Sequence, residues 1–285
     1  LKGTCAVEWL KQGDVQERFG FVYGEHGLFQ EAVAYCKQAA GSEDLENPAT
    51  LRGIERWINL EARLGKKIGD EAGIHRAIER VQGLLKIAET SERLSIMGSA
   101  YKRLAELDAQ RDTEPSEITA HLAKAAEYYR KAAQKHEQEP LADPYPIMNW
   151  LTIEALLGTA KVPYESWLSK AEVLARQRFQ TTRNVWDLFA VADIEVLRAI
   201  RNKNLPEQRA RLVDTYRKVF AESAATPRQQ DSARGQLDFM IAMLQKLFRS
   251  SDQKKAVDPI SDALKDIRNH LEQSKPEEKP TPIQP

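Results

Sequence analysis

Cysteine is nearly missing from this chain of 285 residues: there are two, Cys5 and Cys36, and no CxxC. That excludes a zinc knuckle or a thioredoxin-type redox motif. A secreted disulfide framework does not fit the composition, although a Cys5–Cys36 bridge stays open. An excess of either charge is also missing, because Lys+Arg and Asp+Glu are both 42. A protein that neutralises many phosphates usually carries a basic surplus, so no nucleic-acid partner is expected beyond a local basic face. No apolar run approaches the roughly 20 residues of a membrane span, so no membrane partner is expected. The opening Leu1-Lys2-Gly3 has neither Met nor a signal-peptide pattern. It reads as the start of a piece cut from a longer protein, with a cytoplasmic location as the default.

Catalytic and metal-binding patterns are missing too. The five histidines His26, His75, His121, His136 and His270 never pair at i+3 or i+4, and no HExxH occurs. No metal site is expected, and the histidines read as solvated surface. Neither GxxxxGK[ST] nor GxGxxG is present, so no cofactor is expected in a strand–loop–helix pocket. Cys36 and His26 share one stretch, but Cys36 falls at a packing position, where a thiol acts as a small hydrophobe. Glu43-Asp44 and Glu277-Glu278 read as solvated charges, since no apolar surroundings separate their pKa values. No catalytic residue is assigned, and the chain is not expected to be an enzyme.

Helical periodicity, by contrast, is everywhere. Val15–Ala40 holds two short amphipathic helices broken at Gly24–Gly27. Thr50–Leu64 pairs with Glu71–Ala88 across Gly65–Gly69. Ser91, read as an N-cap, opens a helix bearing Leu94, Met97, Ala100, Tyr101 and Leu104, and Asp108–Pro115 links it to Ser116–His136. Pro140–Pro146 holds three prolines and reads as a connection. Ile147–Leu157 with Tyr164–Phe179, Asn184–Ile200 with Pro206–Ala224, and Arg228–Phe248 with Pro259–Glu272 complete six hairpins. No segment alternates like a strand. One hairpin cannot bury its apolar face alone, so the expected fold class is all-α, an α-solenoid of about six helical hairpins. Four tryptophans (Trp57, Trp150, Trp167, Trp186) read as core, and Trp9 as partly bare. The expected domains are the end of a preceding helix at 1–12, the repeat domain at 13–250, a capping helix at 251–274 and a flexible Pro-rich tail at 275–285.

Two hairpins carry a family pattern. Gly20, Tyr23, Gly27, Ala32, Cys36 and Ala39 in the first, and Gly98, Ala100, Tyr101, Ala125, Tyr129 and Ala132 in the third, resemble the tetratricopeptide repeat. Small residues there let two helices approach, and aromatics fill the space left; Cys36 stands where an aromatic is usual. The stretches Thr50–Leu60, Glu92–Ala105, Tyr145–Leu151 and Trp186–Leu188 look like divergent bacterial repeat regions. Those accompany CHAT-type caspase-like proteases and are similar to the TRAF-binding helical region of apoptosis-signal kinases. The resemblance implies a scaffold or regulatory arm of a larger bacterial signalling or defence protein. Its partner would be a protein or peptide, or an effector domain of the same parent chain.

In such a solenoid the first helix of each hairpin lines the concave surface. That rule nominates Lys102 and Arg103, which follow Gly98 by four and five, and, in the loosely aligned hairpins, Arg52, Asn59, Arg63 and Asn149. Asparagine can hold a peptide backbone, and Lys and Arg add carboxylate binding. The alternative is a small-molecule or nucleotide sensor using the same groove. Its distinguishing sign would be a deep pocket lined by Arg, Asn and aromatics instead of an open channel. The oligomeric state stays open.

Overall fold

The computed structural model describes residues 11–41, 50–136, 142–159, 163–223, 227–248 and 250–272. The expectations for residues 1–10 (Cys5 and Trp9 among them), for Glu43-Asp44 and Pro140, and for the tail beyond 272 lie outside these residues. The described part is all α: twelve helices and no strand. They are α1 (Gly13–Glu25), α2 (Phe29–Ala40), α3 (Leu51–Ile68), α4 (Glu71–Ile87), α5 (Ser91–Gln110), α6 (Pro115–His136), α7 (Tyr145–Leu157), α8 (Tyr164–Thr182), α9 (Val185–Arg201), α10 (Leu205–Ser223), α11 (Pro227–Leu247) and α12 (Ser251–Glu272). Consecutive helices pair as hairpins, and the first helices of neighbouring hairpins also touch, α3 on α5 and α7 on α9, which gives the stacked solenoid.

Small residues set the hairpin spacing. A Cβ on Gly98 would lie 2.9 Å from the ring of the fully buried Tyr129. In the first hairpin a Cβ on Gly20 would run into the Cys36 sulfur. Cys36 thus fills the place that Tyr129 fills in the third hairpin, with a smaller side chain. Burial pushes its thiol up to about 11.

Several local expectations are corrected. Gly65 does not break α3, which runs on to Ile68 and ends at Gly69 in the left-handed region (φ 75°). Gly65 is a packing residue: a Cβ there would sit 2.7 Å from the Asp70 carbonyl oxygen. Thr90, not Ser91, caps α5, its hydroxyl accepting from Arg93 N at 3.2 Å, while Ser91 donates to Ala132 O at 3.0 Å and ties α5 to α6. α7 begins at Tyr145, because Pro146 needs no N–H in a first turn. α12 begins at Ser251 and carries Pro259 inside it, where a start was expected. Trp186 is 39% exposed instead of core.

Charged residues join the hairpins at their ends. Glu17 on α1 accepts from Thr50 N and Thr50 Oγ1, both at 2.9 Å, just where α3 starts. Arg93 is 4% exposed; it pairs with Glu55 at 2.7 Å and donates to the carbonyls of Leu84 (3.0 Å) and Ala88 (2.8 Å), closing the end of α4. One continuous apolar cluster runs from Ile58 on α3 to Leu271 on α12. A separate small one, Ala32, Cys36 and Leu60, holds the first hairpin to α3.

α5 and α7 are buried almost all round, which the first helices of an open solenoid would not be. The reason is α11: it turns back and packs against α5, α6, α7 and α9, with α12 behind it.

Candidate functional site

Between the concave face and α11 lies a cavity of about 770 Å³, within the size range of small-molecule sites. α3, α5, α7, α9 and α11 all contribute walls. Each is the first helix of its hairpin, so stacking brings these faces together whatever the local sequence says.

The floor comes from α5. Lys102 Nζ donates to Asn149 Oδ1 on α7 at 3.0 Å and to Gln236 Oε1 on α11 at 2.9 Å, and it lies 4.1 Å from the centre of the Phe239 ring. Burial pulls the Lys102 ammonium down to about 8, since nearby Glu106 and Asp193 only partly offset the loss of water. Arg103 is 9% exposed, and its Nη1 donates to Ser99 Oγ at 2.6 Å. Asn149 is held in place by donating to Tyr145 O at 3.0 Å.

The carboxylates on the walls are committed elsewhere. Glu106 meets Lys66 at 3.2 Å. Asp143 and Asp187 both face Arg178, at 3.7 and 3.2 Å. Asp193 accepts from the Tyr216 hydroxyl, and burial pushes its carboxyl up to about 7. The lining thus holds five Lys and Arg side chains against four carboxyl groups, one of which, Asp193, keeps its proton up to about pH 7. Aromatic side chains line the same space: Trp186 and Tyr145, both exposed, and the buried Phe189 and Phe239. Asp187, 1% exposed, also lines the space; its Oδ2 has no hydrogen-bond partner among the described residues, and burial raises its pKa.

Of the residues nominated from sequence, Arg63, Lys102, Arg103 and Asn149 line this one cavity. Arg52 is exposed and lies off it. Asn59 is half-buried on α3, outside the lining, with Oδ1 unpartnered among the described residues. The sequence reading missed Trp186, Asp187, Asp193, Gln236 and Phe239. Asp193 carried a signal, as an acidic residue inside the apolar run of α9. Gln236 and Phe239 carried none, because only the return of α11 brings them here.

No group of His, Cys, Asp and Glu among the described residues could hold a metal ion. No described helix is long and apolar enough to cross a membrane. No curated protein and no solved structure matches the chain. A family model does match, and its description points to a protein-interaction or sensor role. The match spans α1 to α6 and most of α7, and includes all four nominated residues that line the cavity. Residues 15–154 match the family described as Tetratricopeptide Repeats-Sensor, so this stretch of the solenoid is of the tetratricopeptide repeat type.

Proposed function

We propose that the chain is a ligand-sensing repeat domain whose cavity takes a small anionic molecule with a flat aromatic part, such as a nucleotide. The observation that carries this reading is the covering of the concave face by α11, which turns a groove into a cavity with Lys102 and Arg103 on its floor. A peptide laid along the concave face, the first expectation from sequence, needs an open channel, and α11 lies across that path. An oxyanion on Arg103 and Lys102 would gain charge-assisted hydrogen bonds, and the exposed Trp186 offers a ring for stacking. The resemblance to CHAT-associated regions suits such a domain as the regulatory arm of a larger bacterial signalling or defence protein. There it would act on an effector domain.

Thermal shift and calorimetry against a nucleotide panel test this. ATP at millimolar concentration is expected to raise Tm by linkage, and Arg103→Met to lose at least about tenfold in affinity, the value of one charge-assisted contact. No stabilisation by any nucleotide would contradict the reading.

A further inference from the structure

The cavity walls come from two separate parts of the chain. One is the concave face of α3, α5, α7 and α9. The other is α11, which packs on that face as part of the large apolar cluster and adds a few polar links. Gln236 accepts from Lys102 at 2.9 Å and donates to Thr152 Oγ1 at 3.3 Å. The Phe239 ring lies beside the Lys102 ammonium, and Lys246 reaches Asp112 at 2.8 Å near the other end of the helix. On the N-terminal side of Gln236, α11 stands off from the wall. Its cavity side carries the small residues Ser232, Ala233 and Gly235, and a Cβ on Gly235 would meet nothing within 4 Å.

A molecule filling that gap touches both surfaces. It therefore binds the docked arrangement of α11 more tightly than any undocked one, and shifts the population toward docking. Lys102 is the shared contact. Two of its three N–H groups join Asn149 on the wall and Gln236 on α11, and one remains for an oxyanion. We propose that the α11–α12 hairpin is the output element of this sensor: an anionic ligand seated on Lys102 and Arg103 clamps α11 against the concave face, and loss of the ligand loosens it. The inference rests on the sensor reading and adds its regulation. An effector positioned by α11–α12 would thus feel whether the cavity is filled.

Hydrogen exchange read by mass spectrometry on the whole chain tests it, without ligand, with ATP and with inorganic pyrophosphate, while calorimetry follows binding. With ligand at ten times its Kd, peptides of α11 are expected to exchange about tenfold more slowly, with those of the outer helix α4 unchanged. Gln236→Ala should speed α11 exchange several-fold in the free protein and leave α4 as it was. Binding with α11 exchange unchanged or faster would overturn the clamp and leave the ligand site standing. If neither probe binds, the ligand site and the clamp fall together.

Discussion

Lys102 and Asp193 lie in one cavity, and burial acts on them in opposite directions. Asp193 keeps its proton up to about pH 7 in the folded chain, against an ordinary carboxyl value of 3.8. The folded state thus holds a proton that the unfolded state releases, and stability falls as pH rises from about 4 through 7. Lys102 gives the reverse sign higher up: it loses its proton at about 8 when folded and 10.5 otherwise, so stability rises with pH between those values. Asp193→Asn tests the first half. Urea unfolding should find the variant equal to wild type at about pH 4. At pH 8 it should be more stable by about 2 kcal/mol, less than the full shift implies because the carboxyl is partly open to the cavity. A variant no more stable at pH 8 would mean that the carboxyl is ionised and well solvated there. Both residues stand out in the sequence, as polar positions within apolar helix faces. Only Lys102 could be tied to a groove, because it follows Gly98 at the right spacing.

Hairpin geometry was the most legible level, because it depends on local signals: glycines, caps and apolar spacing. Pro206 sits in the first turn of α10, as read from sequence, and Asn184, read there only as the start of a helix, caps α9 by accepting from Trp186 N at 3.3 Å. Three of the misreadings share one cause. Gly65, Pro146 and Pro259 look alike as breakers, and only the packing around each decides its role. The glycines give a graded test by thermal unfolding. Gly98→Ala pushes a methyl into the Tyr129 ring and should cost about 1–3 kcal/mol. Gly65→Ala meets backbone at Asp70, which cannot rotate away, and should cost at least as much. Gly83 is exposed on α4, and a methyl there would meet nothing within 4 Å, so Gly83→Ala should stabilise by about 0.5–1 kcal/mol through helix propensity. Equal losses at all three sites would show that close approach is not what these glycines provide.

Across the whole molecule the solenoid is unevenly joined. The large apolar cluster unites α3 through α12, and α11 adds links between helices far apart in sequence. The first hairpin is fastened by a smaller cluster, Ala32, Cys36 and Leu60 buried with Tyr23, Phe29, Val33 and Trp57 partly buried against them, and by surface contacts such as Glu17 with Thr50. Buried polar atoms without a hydrogen bond among the described residues also gather near that end: Asp14 Oδ1, Arg56 Nε, Trp57 Nε1 and Asn59 Oδ1. None of this was visible in sequence, where the first hairpin is one of the two that carry the tetratricopeptide pattern and so looks firm. Stability in a repeat array is a sum of local and neighbour terms, so α1–α2 should open before the rest. Cys36 reports that opening, since its thiol is 3% exposed and held protonated by burial. In a Cys5→Ser background, thiol labelling of Cys36 should become fast at urea concentrations where the fluorescence of the buried Trp150 is still native. Labelling that tracks the Trp150 transition would mean that the first hairpin unfolds with the large cluster, and that its small cluster couples it as firmly as the extended core couples the others.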